Sequence, residues 1–365
     1  MNDRPDTDRS LMARALALAA RGLWTTSPNP RVGCVIARDG EVIGEGFHER
    51  AGEAHAEVAA LADARARGHD PAGATLYVTL EPCNHTGRTP PCTDAVIAAR
   101  VARVVAAMAD PNPLAARGAE RLRAAGIAVD LGVLEGEARE LNIGFVQRVT
   151  RGRPWVRMKL ATSLDGRSAL ADGTSRWITG AAAREDGHRY RARACAVLTG
   201  IGTVRHDDPQ LTVRAVPTPR QPLRVVVDRD AATPPGAKVL AGGATLVVTA
   251  GARNPAWPLG VESIALPDAA GRVDLAALLA ELARRGVNEL HVEAGAGLNG
   301  ALLAGGHVDE IVAYLAPLVL GDPARGVADF GAGLRQLADG VRLRFHDVAR
   351  IGDDLRVIAR VQRED

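Results

Sequence analysis

His55, Glu57, Cys83 and Cys92 are of types suited to metal-assisted chemistry, and they occur in two short stretches, "HAE" at 55–57 and "EPCNHTGRTPPC" from Glu81 to Cys92. An imidazole and two thiolates suit zinc. Three protein ligands leave a fourth position open, which is the catalytic arrangement; structural zinc sites fill all four. Zinc brings the pKa of a bound water to about 7. A carboxylate that is not a ligand, here Glu57, can then carry the proton. Cys83 and Cys92 lie nine positions apart, wider than a usual zinc pair. The insert between them holds His85, which could ligate in place of a cysteine, and Arg88. A cation in a Gly-containing loop beside a metal suits a phosphate, although a solvated arginine is equally ordinary.

These residues need elements to hold them. Asp8 is expected to cap a first helix whose apolar face is Leu11, Met12, Ala15, Leu18 and Ala19. "RVGCVIARDGEVIGEGF" predicts a β-hairpin turning at Asp39-Gly40. "HAEVAALADARARG" predicts a helix with His55 and Glu57 in its first turn and a stop at Gly68. "ATLYVTL" is a strand leading into the cysteine stretch, and Cys92 opens a helix, where thiolate is favoured. Strand, helix and strand follow, then one helix from Glu135 to about Val149. Strands alternating with helices imply an α/β sheet covered by helices. "RGRP" at 151–154 is the expected domain boundary, giving domains 1–150 and 151–365.

The second half predicts a long strand "WVRMKLATSLDG", a helix near Ala181 to Ala194, and strands at "CAVLTG", "LRVVVD" and "TLVVTA". A helix near Leu275 to Arg285, strands "ELHVEA" and "EIVAYLAP", and two terminal strands complete it. Gly295-Ala296-Gly297-Leu298-Asn299-Gly300 is a G-x-G-x-x-G between a strand and a helix. Such glycines let a backbone approach a pyrophosphate held at the helix N-terminus. A Rossmann fingerprint would open its domain, whereas this one comes late and Asp309-Glu310 precede the next strand. Pyrophosphate binding is therefore expected without Rossmann topology. The halves share no internal repeat.

The 365 residues, with a formal charge of +2, give an ordinary globular composition and no basic excess for nucleic acid. No run approaches the ~20 apolar residues that span a bilayer, and the N-terminus carries no apolar leader. A cytoplasmic location is expected, with no membrane or nucleic-acid partner. Four scattered cysteines do not make a disulfide framework.

H-x-E followed by P-C-x-x-C is the signature of zinc deaminases. Here it is matched up to Cys83, and the second cysteine comes at C-x8-C. More specifically, "SPNPRVGCVI", "GFHERAGEAHAE" and "TLEPCNHTGRTPPC" resemble the deaminase half of the bifunctional riboflavin biosynthesis deaminase–reductases. "KLATSLDGRSA", "SRWITG", "LTGIGTVRHDDPQLTVR" and "VEAGAGLNGALL" resemble the reductase half, in the same order. The resemblance covers nearly the whole chain.

It implies a cytidine-deaminase-like three-layer α/β/α domain, then a dihydrofolate-reductase-like α/β domain. Zinc would be held by His55, Cys83 and Cys92, with Glu57 moving protons. Asn29, His48, His85 and Arg88 would meet a phosphoribosylaminopyrimidine. On residue type alone, Asn29 is a turn residue and His48 an exposed loop histidine. NADPH would contact Ala161, Trp177, Thr203, Asp207 and Gly295, Ala296, Gly297, Leu298, Asn299, Gly300 and Ala301. The reductase substrate would meet Lys159, Ser175, Arg191, Leu211, Arg214 and Glu293. Core packing competes for Trp177, and a surface salt bridge for Arg191. Lys159 and Glu293 are expected at strand ends. A homo-oligomer is expected. The competing readings are a nucleobase or tRNA deaminase with a fused domain, and a zinc-stabilised nucleotide-binding module without turnover. The wide cysteine spacing and the charge balance disfavour the first, and Glu57 the second.

Overall fold

A computed structural model of the protein describes residues 4–87, 90–331 and 333–363. The chain divides into two compact units, Met1–Gly152 and Arg153–Asp365.

The first unit runs α1 (Arg4–Ala20), β1 (Gly33–Arg38), β2 (Glu41–Phe47), α2 (Ala56–Ala66), β3 (Thr75–Val78), α3 (Cys92–Ala98), β4 (Arg103–Ala106), α4 (Gly118–Ala124), β5 (Ala128–Leu131), α5 (Glu135–Leu141) and α6 (Ile143–Arg151). Its sheet has the order β2-β1-β3-β4-β5. β1 is antiparallel to β2 and β3, while β3, β4 and β5 are parallel. The hairpin turns where expected, with Asp39 and Gly40 both at positive φ (51° and 83°). Side chains alternate across β1. A Cβ on Gly33 would strike Ala15 of α1, and Cβ atoms on Gly44 and Gly46, paired with Ile36 and Cys34, would strike α2. So α1 and α2 cover opposite faces of the sheet.

Two expectations fail here. Asp8 is not a cap, because α1 begins at Arg4. Its buried carboxylate instead accepts from the Tyr77 hydroxyl at 2.7 Å and from Arg103 at 2.7 and 2.9 Å. The apolar face of α1 is buried as expected. The single helix from Glu135 is two helices broken at Asn142 (φ −107°, ψ 19°), whose side chain accepts from the Arg31 N–H and donates to the Arg31 carbonyl.

The second unit runs β6 (Trp155–Ser163), α7 (Ala181–Arg193), β7 (Ala196–Gly200), α8 (Ile201–Asp207), β8 (Leu223–Val227), β9 (Thr245–Thr249), β10 (Val261–Ala265), α9 (Leu275–Arg284), β11 (Glu289–Val292), α10 (Ala296–Ala304), β12 (Glu310–Ala316), β13 (Leu343–Ile351) and β14 (Asp354–Val361). The nine strands are ordered β10-β9-β8-β7-β11-β6-β12-β14-β13. They are parallel from β10 to β12, and β14 and β13 add antiparallel. β10 and α8 were not anticipated. Lys159 lies within β6 and not at its end, while Glu293 directly follows β11. Asp309 and Glu310 serve the fold: Asp309 pairs with Arg153 and Arg363, and Glu310 with Arg157 and Arg360. No described helix is long and apolar enough to cross a membrane.

Candidate active sites

The first site forms where β3 and β4 end, outside the carboxyl ends of parallel strands. β3 leads through Glu81 and Pro82 to Cys83; Cys92 opens α3, and His55 sits at the N-cap position of α2, one residue before the helix. The ligating atoms of His55, Cys83 and Cys92 all lie within 4.8 Å of one another. His55 Nδ1 is 3.1 Å from Cys92 Sγ and 3.7 Å from Cys83 Sγ. The backbone N–H of Cys92 donates to Cys83 Sγ at 3.3 Å. Cys83 is drawn down to about 4, first by the hydrogen bond from the Cys92 thiol; burial opposes this and His55 assists. Cys92 is pushed up by the same bond and by burial. A soft donor set that already favours one thiolate beside an imidazole fits zinc.

Glu57, in the first turn of α2, is 3% exposed, and burial pushes its carboxyl up to about 7. An acid–base group works best with a pKa near the operating pH.

Asn29 and His48 come together. Asn29 Nδ2 donates to His48 Nε2 at 3.0 Å, and His48 Nδ1 donates to the Ala54 carbonyl at 3.0 Å. His48 is therefore no exposed loop residue. It is 2% exposed with its ring 5.1 Å from that of His55, and it orients the Asn29 amide. His85 is exposed in the loop after Cys83. Arg88 lies outside the described residues.

Two residues that hold this site escaped sequence reading. The buried Glu81 carboxylate accepts from the Ala119 N–H at 2.8 Å and the Asp110 N–H at 3.0 Å, tying the ligand loop to α4 and to the chain after β4. At Gly118 an added Cβ would stand 1.8 Å from the Pro82 carbonyl oxygen, so only glycine allows α4 to approach the loop this closely. The "EP" before Cys83 and the Gly118 opening "GAERLRAAG" were visible; their meeting was not.

The second site is a cavity of about 1310 Å³ in the second unit. It is lined by all the reductase positions expected from the sequence except Gly300 and Ala301. Ala301 is exposed, and Gly300 faces elsewhere: its Cβ would meet the Asp329 carbonyl oxygen at 1.8 Å. The third glycine of the motif therefore serves packing of α10 against the 327–329 segment. Gly297 has open space where a Cβ would stand. Gly295 is the α10 N-cap and supplies no side chain to the helix's free N–H groups.

Arg191 and Glu293 form a forked ion pair, the second bond being 2.8 Å, and Arg191 Nη1 donates to the Thr212 carbonyl at 2.9 Å. The pair is mostly buried, not a surface bridge. Burial lowers the Lys159 pKa; Glu293 opposes that shift and Arg191 adds to it. Trp177 is not in the core: it is 67% exposed, with the Arg184 guanidinium 4.4 Å from its ring centre. Asn299 donates to the Ala294 and Val327 carbonyls, while its buried Oδ1 has no hydrogen-bond partner among the described residues. An orphaned acceptor at a cavity wall fits a ligand with hydroxyl or amide donors.

Residues 5–108 match the family described as "Cytidine and deoxycytidylate deaminase zinc-binding region", and residues 154–357 match "RibD C-terminal domain". The chain is 48% identical to the riboflavin biosynthesis protein RibD of Escherichia coli, over 95% of this chain and 98% of that protein. It is 42% identical to the RibD of Aquifex aeolicus, over 96% and 97%. A solved Acinetobacter baumannii RibD superposes with a TM-score of 0.91 at 42% identity, covering 99% of this chain and 100% of that one. A Thermotoga maritima diaminohydroxyphosphoribosylaminopyrimidine deaminase/5-amino-6-(5-phosphoribosylamino)uracil reductase gives 0.89 at 36%, covering 98% and 99%. A zinc-binding deaminase region and a reductase region, joined in one chain along the full length of these relatives, mark it as a member of the RibD family of bifunctional riboflavin biosynthesis enzymes, a deaminase followed by a reductase that uses a nicotinamide cofactor.

Proposed function

We propose that the first site deaminates 2,5-diamino-6-(5-phosphoribosylamino)pyrimidin-4-one at C2. The second site then reduces the ribosyl group of the resulting uracil to give 5-amino-6-(5-phosphoribitylamino)uracil. The observation that carries this is the meeting of His55, Cys83 and Cys92 within 4.8 Å beside the buried Glu57. Those three side chains would hold zinc, which would supply an activated water near neutral pH. Glu57 would carry one proton from that water to the ring nitrogen and a second, from the C2 hydroxyl so formed, to the amino group, which leaves as ammonia when its bond to C2 breaks. Asn29, held by His48, addresses the base, and we assign His85 and Arg88 to the phosphoribosyl end.

In the second unit NADPH, when bound, would supply a hydride to C1′ of the ring-opened imine: the C1′–O4′ bond breaks with the amine proton passing to O4′, and the nitrogen takes up a proton as the hydride adds. The α10 N-terminus and Gly297 would hold the cofactor's pyrophosphate, the Asn299 Oδ1 would accept from one of its donors, and Ala161, Trp177, Thr203 and Asp207, which line the same cavity, would contact the rest. Lys159, Ser175, Arg191, Leu211, Arg214 and Glu293 address the substrate. Glu293 sets the orientation of Arg191 through the forked pair.

Incubation with the diaminopyrimidinone, with and without NADPH, tests this order. Ammonia should appear in both reactions, and NADPH should be consumed only after deamination. NADPH oxidation by the undeaminated substrate would overturn the order, and a preference for NADH the cofactor.

A further inference from the structure

His188 takes no part in the roles assigned above, yet it lines the reductase cavity at the end that holds Arg191 and Arg214. It lies on α7, three residues before Arg191, so the two share a helix face. Its Nδ1 accepts the backbone N–H of Arg214 at 3.3 Å. Arg191 reaches the same segment through the Thr212 carbonyl at 2.9 Å. From the other side, Gln221 clamps Val213: its Oε1 accepts the Val213 N–H at 2.7 Å and its Nε2 donates to the Val213 carbonyl at 2.9 Å. Three consecutive residues, from Thr212 to Arg214, are thus tied by side chains. The segment is otherwise irregular and begins at Leu211, whose φ is 55°. The Arg214 guanidinium has no hydrogen-bond or ion-pair partner among the described residues.

We propose that His188 is a positioning residue for the phosphate end of the reductase substrate, holding the backbone at Arg214 so that this arginine stands beside Arg191 at the cavity wall. The proposal rests on the assignment of Arg191 and Arg214 to that substrate. An acceptor role requires an unprotonated Nδ1, and the surroundings enforce one. Burial first, then the charges of Arg191 and Arg214, push the His188 pKa down to about 4, with Lys159 adding and Glu293 opposing. The imidazole therefore adds no third cation beside the two arginines. It works through the backbone, and the phosphate contact is left to Arg214.

The test uses the full-length protein and the reductase half-reaction, with the deaminated uracil as substrate and inorganic phosphate as a competing anion. His188→Leu fills similar space without an acceptor, and His188→Asn places an oxygen near the position of Nδ1. We expect His188→Leu to raise KM and the phosphate inhibition constant by roughly fivefold to tenfold, the scale of one lost hydrogen bond. kcat should stay within about twofold, and His188→Asn should recover most of the loss. Gln221→Met should act in the same direction and serves if the leucine variant fails to fold. Combined with Arg214→Ala, His188→Leu should add little, because its effect passes through Arg214. An unchanged KM in both the His188→Leu and Gln221→Met proteins, or a full additive effect in the double variant, would overturn the proposal. If instead Arg214→Ala itself leaves KM unchanged, the substrate assignment fails, which is a separate result.

Discussion

The Cys92 backbone N–H donates to the Cys83 sulfur at 3.3 Å, although the two residues are nine positions apart. The two cysteines are therefore in contact despite their wide spacing in the sequence. Cys92 as the first residue of α3 also turns a helix N-terminus toward the sulfur it contacts.

That contact depends on Gly118. Replacing it with alanine would force a Cβ into the Pro82 carbonyl, one residue before Cys83. Gly118→Ala should destabilise the first unit by about 1–3 kcal/mol and weaken zinc retention against a chelator. Thermal unfolding with a metal-competition titration measures both. An alanine variant with wild-type stability and zinc retention would show that α4 can shift without moving Cys83.

Buried charge organises the second unit. Arg157, 3% exposed, bonds Glu310 at 2.5 Å and Glu289 at 2.9 Å. Burial alone would raise the Glu310 pKa, but Arg157 and then Arg360 outweigh it and the pKa lies below the usual 4.5. A lowered folded-state pKa gives stability that is present above the unfolded value and is lost as pH falls through the folded one. Arg157→Met leaves two buried carboxylates short of a partner and should cost about 3–5 kcal/mol. Because the variant lacks this stabilisation already at neutral pH, its deficit should narrow as pH falls and the carboxylates protonate. Unfolding midpoints measured from pH 7 downward check both directions; a variant as stable as wild type would contradict the account.

Trp177 gives an optical handle. It is 67% exposed at the cavity, whereas Trp257 is 2% exposed. NADPH binding should quench tryptophan emission, and Trp177→Phe should remove most of that change. Equal quenching in the variant would place the nicotinamide away from Trp177.

Motifs and turns were legible in the sequence because they are local. The Asp39-Gly40 turn follows from two residues, and the grouping of His55, Cys83 and Cys92 from types that chemistry uses together. What could not be read is what distant partners impose. Asn142 breaks a helix because its amide satisfies Arg31, 111 residues earlier. Asp8 has a cap's residue type, but Arg103 and Tyr77 draw it into the interior. His48 looks like a loop residue until Asn29 and Ala54 occupy both its ring nitrogens. Gly300 fits a cofactor motif and is spent on packing against Asp329.

The central claim is that three ligands hold zinc while a separate carboxylate carries the proton. Ammonia release by purified Glu57→Gln, measured together with its zinc content, tests this most directly. The account predicts one equivalent of zinc, as in the wild type, with deamination slowed by at least ~10²-fold and NADPH-dependent reduction of the deaminated uracil intact. A zinc-loaded Glu57→Gln protein that deaminates at the wild-type rate would contradict it.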